Sequence, residues 1–118
     1  MFKKLPTYRY RIRVVRVIDG DTVEADVDLG FYTRIRTNLR IYGVDCPELN
    51  TDAGKAARDY LDNAVQQSGG EWTADTKKAD KYGNRWDAVI WLNDTTTLAD
   101  HLVKHGHAVY KDYQSKKE

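Results

Sequence analysis

From Tyr8 to Leu29 the chain reads YRYRIRVVRVIDGDTVEADVDL, and its alternation decides the fold. Tyr8, Tyr10, Ile12 and Val14 alternate with Arg9, Arg11 and Arg13, the period-2 pattern of a half-buried strand. The alternation slips at Val14-Val15, then resumes with Val15 and Val17 against Arg16 and Ile18. Such a slip predicts a β-bulge, the device that bends strands in small barrels. Asp19-Gly20 signals a hairpin turn, after which Val23, Ala25, Val27 and Leu29 alternate with Glu24, Asp26 and Asp28. A second turn at Asp28-Leu29-Gly30 leads to a third strand. That strand carries Ile35, Thr37, Leu39 and Ile41 on one face, and Arg34, Arg36, Asn38, Arg40 and Tyr42 on the other. Three consecutive antiparallel strands make a meander.

Downstream the period changes. Asn50 or Thr51 is the expected N-cap of a helix in which Ala57, Tyr60, Leu61, Ala64 and Val65 share a face, and Ser68-Gly69-Gly70 ends it. Residues 71–76 read as a fourth strand and 77–84 as a polar loop containing Asp80-Lys81-Tyr82-Gly83. A fifth strand uses Trp86, Ala88, Ile90 and Leu92. Thr97, with Asp100 three residues on, caps a second helix built on Leu98, Leu102 and the Ala99/Val103 pair, and Gly106 closes it. Three strands, a helix, two strands and a helix is the order of a mainly β, five-stranded OB-fold barrel with two to three α-helices. That fold commonly binds oligonucleotides.

The bulk numbers set bounds. A chain of 118 residues, 41% hydrophobic and 31% charged, is expected to form one globular domain over 1–118 with one modest core. A net charge of +1 excludes a general polycation, so any nucleic-acid contact must come from a local patch. One cysteine excludes an intrachain disulfide. The N-terminal lysines have no apolar run behind them, which makes a soluble cytoplasmic protein the expectation.

The chemistry gathers at strand ends. Val17-Ile-Asp-Gly-Asp-Thr-Val23 and Leu39-Arg-Ile-Tyr-Gly-Val-Asp-Cys-Pro-Glu48 each run from an apolar strand into an acidic turn, and Arg40 precedes Asp45 by five residues. Carboxylates and an arginine so placed suit a hard cation facing a phosphate. These two segments, with Asp80-Lys-Tyr-Gly83 and the Leu98–Gly106 helix, resemble the staphylococcal nuclease (thermonuclease) family over nearly the whole chain. Ca²⁺ takes about 6–8 oxygen ligands; Asp21 and Asp45 supply two carboxylates, and the Cys46 carbonyl can add a third oxygen. The resemblance implies the same ligand set. It further implies that Glu48 positions or deprotonates the attacking water, and that Arg40 and a second arginine grip the phosphate.

The family places that second arginine directly after the glycine of Asp-Lys-Tyr-Gly. Here Asn84 intervenes, so the role falls to Arg85. Lys81 and Tyr82 match positions that touch the nucleotide, and Tyr110 or Tyr113 offers a stacking face for a base. Cys46 stands where the family often has Thr, and the hairpin joining the second and third strands is longer than in the type enzyme. Arg34 and Arg36 are expected to pair across strands with Glu24, Asp26 or Asp28. His101 and His105, at i,i+4, have the spacing of zinc ligands but no clear third partner, and are expected to be solvated or packed on the barrel. The implied activity is Ca²⁺-dependent hydrolysis of DNA and RNA by a monomer, single strands preferred, with low sequence specificity. A non-catalytic OB-fold module binding single strands is the alternative. A degenerate nuclease serving as a protein-interaction piece is a second.

Overall fold

The computed structural model describes residues 8–79 and 85–111. Strands β1 (Arg9–Asp19), β2 (Thr22–Asp28) and β3 (Arg34–Ile41) form the meander. Then come β4 (Val44–Asp45), α1 (Asp52–Ser68), β5 (Glu71–Ala79), β6 (Arg85–Trp91), α2 (Leu98–Lys104) and β7 (Val109–Tyr110). Five strands close a barrel in the order β1-β2-β3-β6-β5, and β4 and β7 make a separate two-stranded sheet. Every barrel pairing is antiparallel except β3 with β6. This is the OB-fold barrel that the strand order predicts, with two helices among the described residues.

The bulge falls where the alternation slips. Val14 pairs with Ala25 and Arg16 with Glu24, leaving Val15 as the extra residue. Val14 is thereby buried while Val15 faces solvent. The core takes Ile12, Val23, Ala25, Leu39, Ile41, Ala88 and Ile90 from the barrel, with Leu61 from α1 and Leu98 and Leu102 from α2 closing over it. Full burial of each of the valine, leucine and isoleucine side chains contributes about 1.5–3 kcal/mol.

Both helices start where their caps predict. Thr51 Oγ1 accepts from Gly54 N at 3.0 Å and Thr97 Oγ1 from Asp100 N at 3.1 Å. Gly69, at φ 77°, ends α1 in the left-handed conformation that glycine adopts without a side-chain penalty. The fourth strand, however, runs on to Ala79 rather than stopping at Thr76. The β6 partner carries it past a register shift between Thr76 and Lys78, so backbone pairing overrides the polar sequence there.

Two turns differ from expectation. The β1–β2 loop is Gly20-Asp21, inside the Asp19–Thr22 rung, one position later than Asp19-Gly20. At the far end of the hairpin, Thr33 N donates to Gly30 O at 2.9 Å, so Phe31 and Tyr32 occupy the tip.

Candidate active site

Gly20 adopts no positive φ. It is required for room: a Cβ there would stand 2.9 Å from both Cys46 Sγ and Ala57 Cβ. The close approach sets Asp21 against the second acidic turn. Its carboxylate accepts from Cys46 N at 3.2 Å and from the buried Thr22 hydroxyl at 3.2 Å. Asp19 accepts from Asp21 N at 3.1 Å and so shapes the turn. Burial holds the Asp21 carboxyl above the usual carboxylate range, and Asp19 adds to that by hydrogen bond and charge. Arg40 and the Cys46 N–H oppose the shift.

Arg40, near the end of β3, joins the two acidic turns. Its Nη2 lies 3.5 Å from Asp21 Oδ2 and 2.5 Å from Asp45 Oδ1. The same nitrogen donates to Val44 O at 3.1 Å. The guanidinium is thus held by both carboxylates and by main chain, with only 14% of its side chain exposed. Beside Asp45 a cleft of about 280 Å³ opens, lined also by Cys46, Pro47 and residues 106–109. Burial pushes the Cys46 thiol up to about 12, and Asp21 and Asp19 add to it.

Glu48 stands three residues past Asp45, exposed to solvent. Its main chain is pinned: the Glu48 carbonyl accepts from Thr51 N at 3.0 Å and Thr51 Oγ1 at 2.6 Å. Its side chain makes no hydrogen bond or salt bridge among the described residues. The loop therefore fixes its position without joining it to Arg40. Arg85 opens β6 opposite Asn38, and the next same-face pair is Arg40 with Asp87, so the two arginines share one outer face.

Asp87 is 9% exposed and was not singled out from sequence. The available signal was an aspartate inside the otherwise apolar Trp86–Trp91 run. Lys81, Tyr82, Asn84 and Tyr113 lie outside the described residues. Tyr110 is exposed on β7 with its hydroxyl donating to Asp100 Oδ1 at 2.8 Å, a bond that raises its pKa.

The histidines form a separate cluster. His101 Nε2 shares a hydrogen bond with Tyr60 OH at 2.8 Å, and the rings of His105 and His107 lie 5.5 and 4.4 Å from the Tyr60 ring. They thus pack on α1 through Tyr60. Among the described residues no three His, Cys, Asp or Glu side chains are grouped closely enough to hold a metal by themselves.

Residues 38–118 match the family model described as staphylococcal nuclease homologue. The chain is 35% identical to a thermonuclease of Staphylococcus hyicus over 86% of its own length and 60% of that protein's. It is 31% identical to an uncharacterized endonuclease of Escherichia coli O157:H7 over 87% of its length and 63% of that protein's. A thermonuclease of Staphylococcus intermedius is 38% identical over 85% of the chain and 59% of that protein. The chain thus spans about three-fifths of the length of these curated relatives. The family match covers more than half of the chain, and it falls on the fold and on the acidic turn that Arg40 ties to Asp21: the chain belongs to the family of staphylococcal nuclease homologues.

Proposed function

We propose that the chain is a metal-dependent nuclease that hydrolyses phosphodiester bonds in DNA, RNA or both. The observation that carries this reading is one guanidinium held between two carboxylates, Arg40 with Asp21 and Asp45. A pure phosphate binder gains nothing from acidic groups at that point. The names of the relatives, thermonuclease and endonuclease, support the same reading.

The donors suit a hard cation. Asp21 is a largely buried carboxylate whose pKa is raised first by burial and then by Asp19, so a bound cation would stabilise its charged form. Asp21, Asp45 and the Cys46 carbonyl would hold Ca²⁺, with its remaining oxygens drawn from water and substrate. When bound, it supplies a Lewis acid for a phosphoryl oxygen. Arg40 and Arg85 orient the phosphate and offset the charge that develops on it. Glu48, placed at the solvent edge by Thr51, takes the proton of the attacking water. The 5′-oxygen leaves, giving 3′-phosphate ends. Lys81, Tyr82, Tyr110 and Tyr113 contact nucleotide, and the groups at the centre address phosphate rather than base edges, so sequence specificity is low.

The test is cleavage of a fluorescent single-stranded oligonucleotide with added Ca²⁺ and with chelator, on the wild type and Glu48→Gln together. Calcium-dependent cutting that falls about 10²–10⁴-fold in the variant is expected. Salt-sensitive binding with no cutting by any divalent metal would reassign the barrel as a binding module.

A further inference from the structure

The tip of the β2–β3 hairpin presents two aromatic side chains to water, Phe31 at 98% and Tyr32 at 108% relative exposure. Both adopt positive φ, 56° and 59°, a region that bulky side chains rarely occupy and that Asn-Gly would fill readily. Neither belongs to the core or to its partly buried margin. Two rings are therefore held outward on a turn that suits them poorly.

From that tip, Arg34, Arg36, Asn38 and Arg40 follow at alternate positions along one face of β3. Arg36 is paired bidentately with Asp26, at 2.7 and 3.1 Å, as the sequence predicts. Arg34 is exposed and makes no salt bridge among the described residues. A cleft of about 340 Å³ lies beside it, lined by Trp72, by Arg11, Arg13 and Arg34, and by as many carboxylates, Asp26, Asp28 and Glu71. Arg11 reaches Asp28 only at 3.9 Å and has 83% of its side chain exposed.

We propose that this hairpin is a second contact for nucleic acid: a single strand with its scissile phosphate at Arg40 runs outward along β3. Its phosphates meet Arg34 and Arg11, and a base stacks on Phe31 or Tyr32. Stacking rings beside exposed arginines are a means by which proteins hold single strands without reading sequence, and strands 2 and 3 are the usual binding face of this barrel. Six residues separate Arg34 from Arg40, about 20 Å at about 3.3 Å each. The inference rests on the nuclease reading of the Arg40 site.

The test compares cleavage of oligonucleotides of about three and about sixteen nucleotides, the second long enough to reach the tip. The proteins are the wild type and the double variant Phe31→Asn/Tyr32→Gly, whose Asn-Gly pair suits the turn and preserves the hairpin. Loss of one stacked base is expected to lower kcat/KM on the long substrate about 5- to 150-fold, leaving the short one unchanged. Arg34→Gln is expected to reduce the salt slope for binding the long strand, measured with chelator, by about one ion. Unchanged rates on both lengths, or an equal fall on both, overturn the hairpin's role while the nuclease stands. Wild-type protein that neither cuts nor binds either length removes the Arg40 reading, and the hairpin's role with it.

Discussion

Gly54, on the first turn of α1, lies so close to the main chain of Glu48 that a Cβ would stand 1.8 Å from the Glu48 carbonyl oxygen. Helix and loop are thus fitted through a missing side chain. Gly54→Ala sets a helix-propensity gain of up to about 1 kcal/mol against an overpacking cost of about 1–3 kcal/mol. Because the obstacle is backbone, the cost wins. A lower urea midpoint and turnover reduced more than about tenfold are expected, since a 1 Å misplacement of Glu48 is enough for that. A stabilised variant with full activity would show that the loop is free to move.

Removing the Arg40 charge should make the cation matter more for stability. Arg40→Met leaves Asp21 and Asp45 without their shared guanidinium, so the metal-free protein melts lower than the wild type. Added Ca²⁺ then raises the midpoint more in the variant than in the wild type; at a hundred times its Kd it supplies about 2.7 kcal/mol. Equal calcium shifts in both proteins would separate Arg40 from the cation site. Turnover in the variant falls about 10²–10³-fold in either case, as for the loss of one charge-stabilising donor.

Stability should also fall on mild acidification. Burial, then the neighbouring His105 and Lys104, holds the His101 pKa below its ordinary 6.5. A group whose folded pKa is lowered binds protons more readily when unfolded, so its contribution is complete above about pH 6.5 and is lost as pH falls through the folded value. The thermal midpoint therefore drops as the pH falls below about 6.5. The drop is smaller in His101→Gln, which keeps a polar partner for Tyr60. Identical pH profiles in the two proteins would exclude His101 as the source.

Cys46 should be unreactive while the fold holds. With its thiol pushed up to about 12 by burial and the adjacent carboxylates, almost none is thiolate at pH 8. Alkylation by iodoacetamide at that pH is expected to run more than about tenfold slower in native protein than in urea. Equal rates would mean that the turn opens readily.

What the sequence made legible follows from its periods. The Val14-Val15 slip located the bulge, and Thr51 and Thr97 located the helix starts, because strand alternation and cap chemistry are local. The Asp21–Arg40–Asp45 assembly was legible only as motifs; its geometry depends on Gly20 admitting Cys46 and Ala57, a contact between distant segments. The β4–β7 pairing escaped for a similar reason: two-residue strands carry no period, and Val44 finds Tyr110 only once α2 has returned the chain. Asp87 escaped because its relation to Arg40 exists only in the β3–β6 register. Arg34 and Arg36 read alike in sequence, yet Arg36 alone forms the expected cross-strand pair among the described residues.

The parallel pairing of β3 with β6 has a kinetic meaning. Asp21, Arg40 and Asp45 all precede α1, whereas Arg85 arrives only with the strand that shuts the barrel. Bringing Asn38 beside Arg85 closes a loop of dozens of residues, the kind of non-local step that places small β-barrels in the millisecond-to-second range of folding. During synthesis the carboxylates emerge first and stay without the second arginine until residues 85–91 have been made. The proposed pairing of Arg40 with Arg85 is therefore expected to form only when the last barrel strand docks.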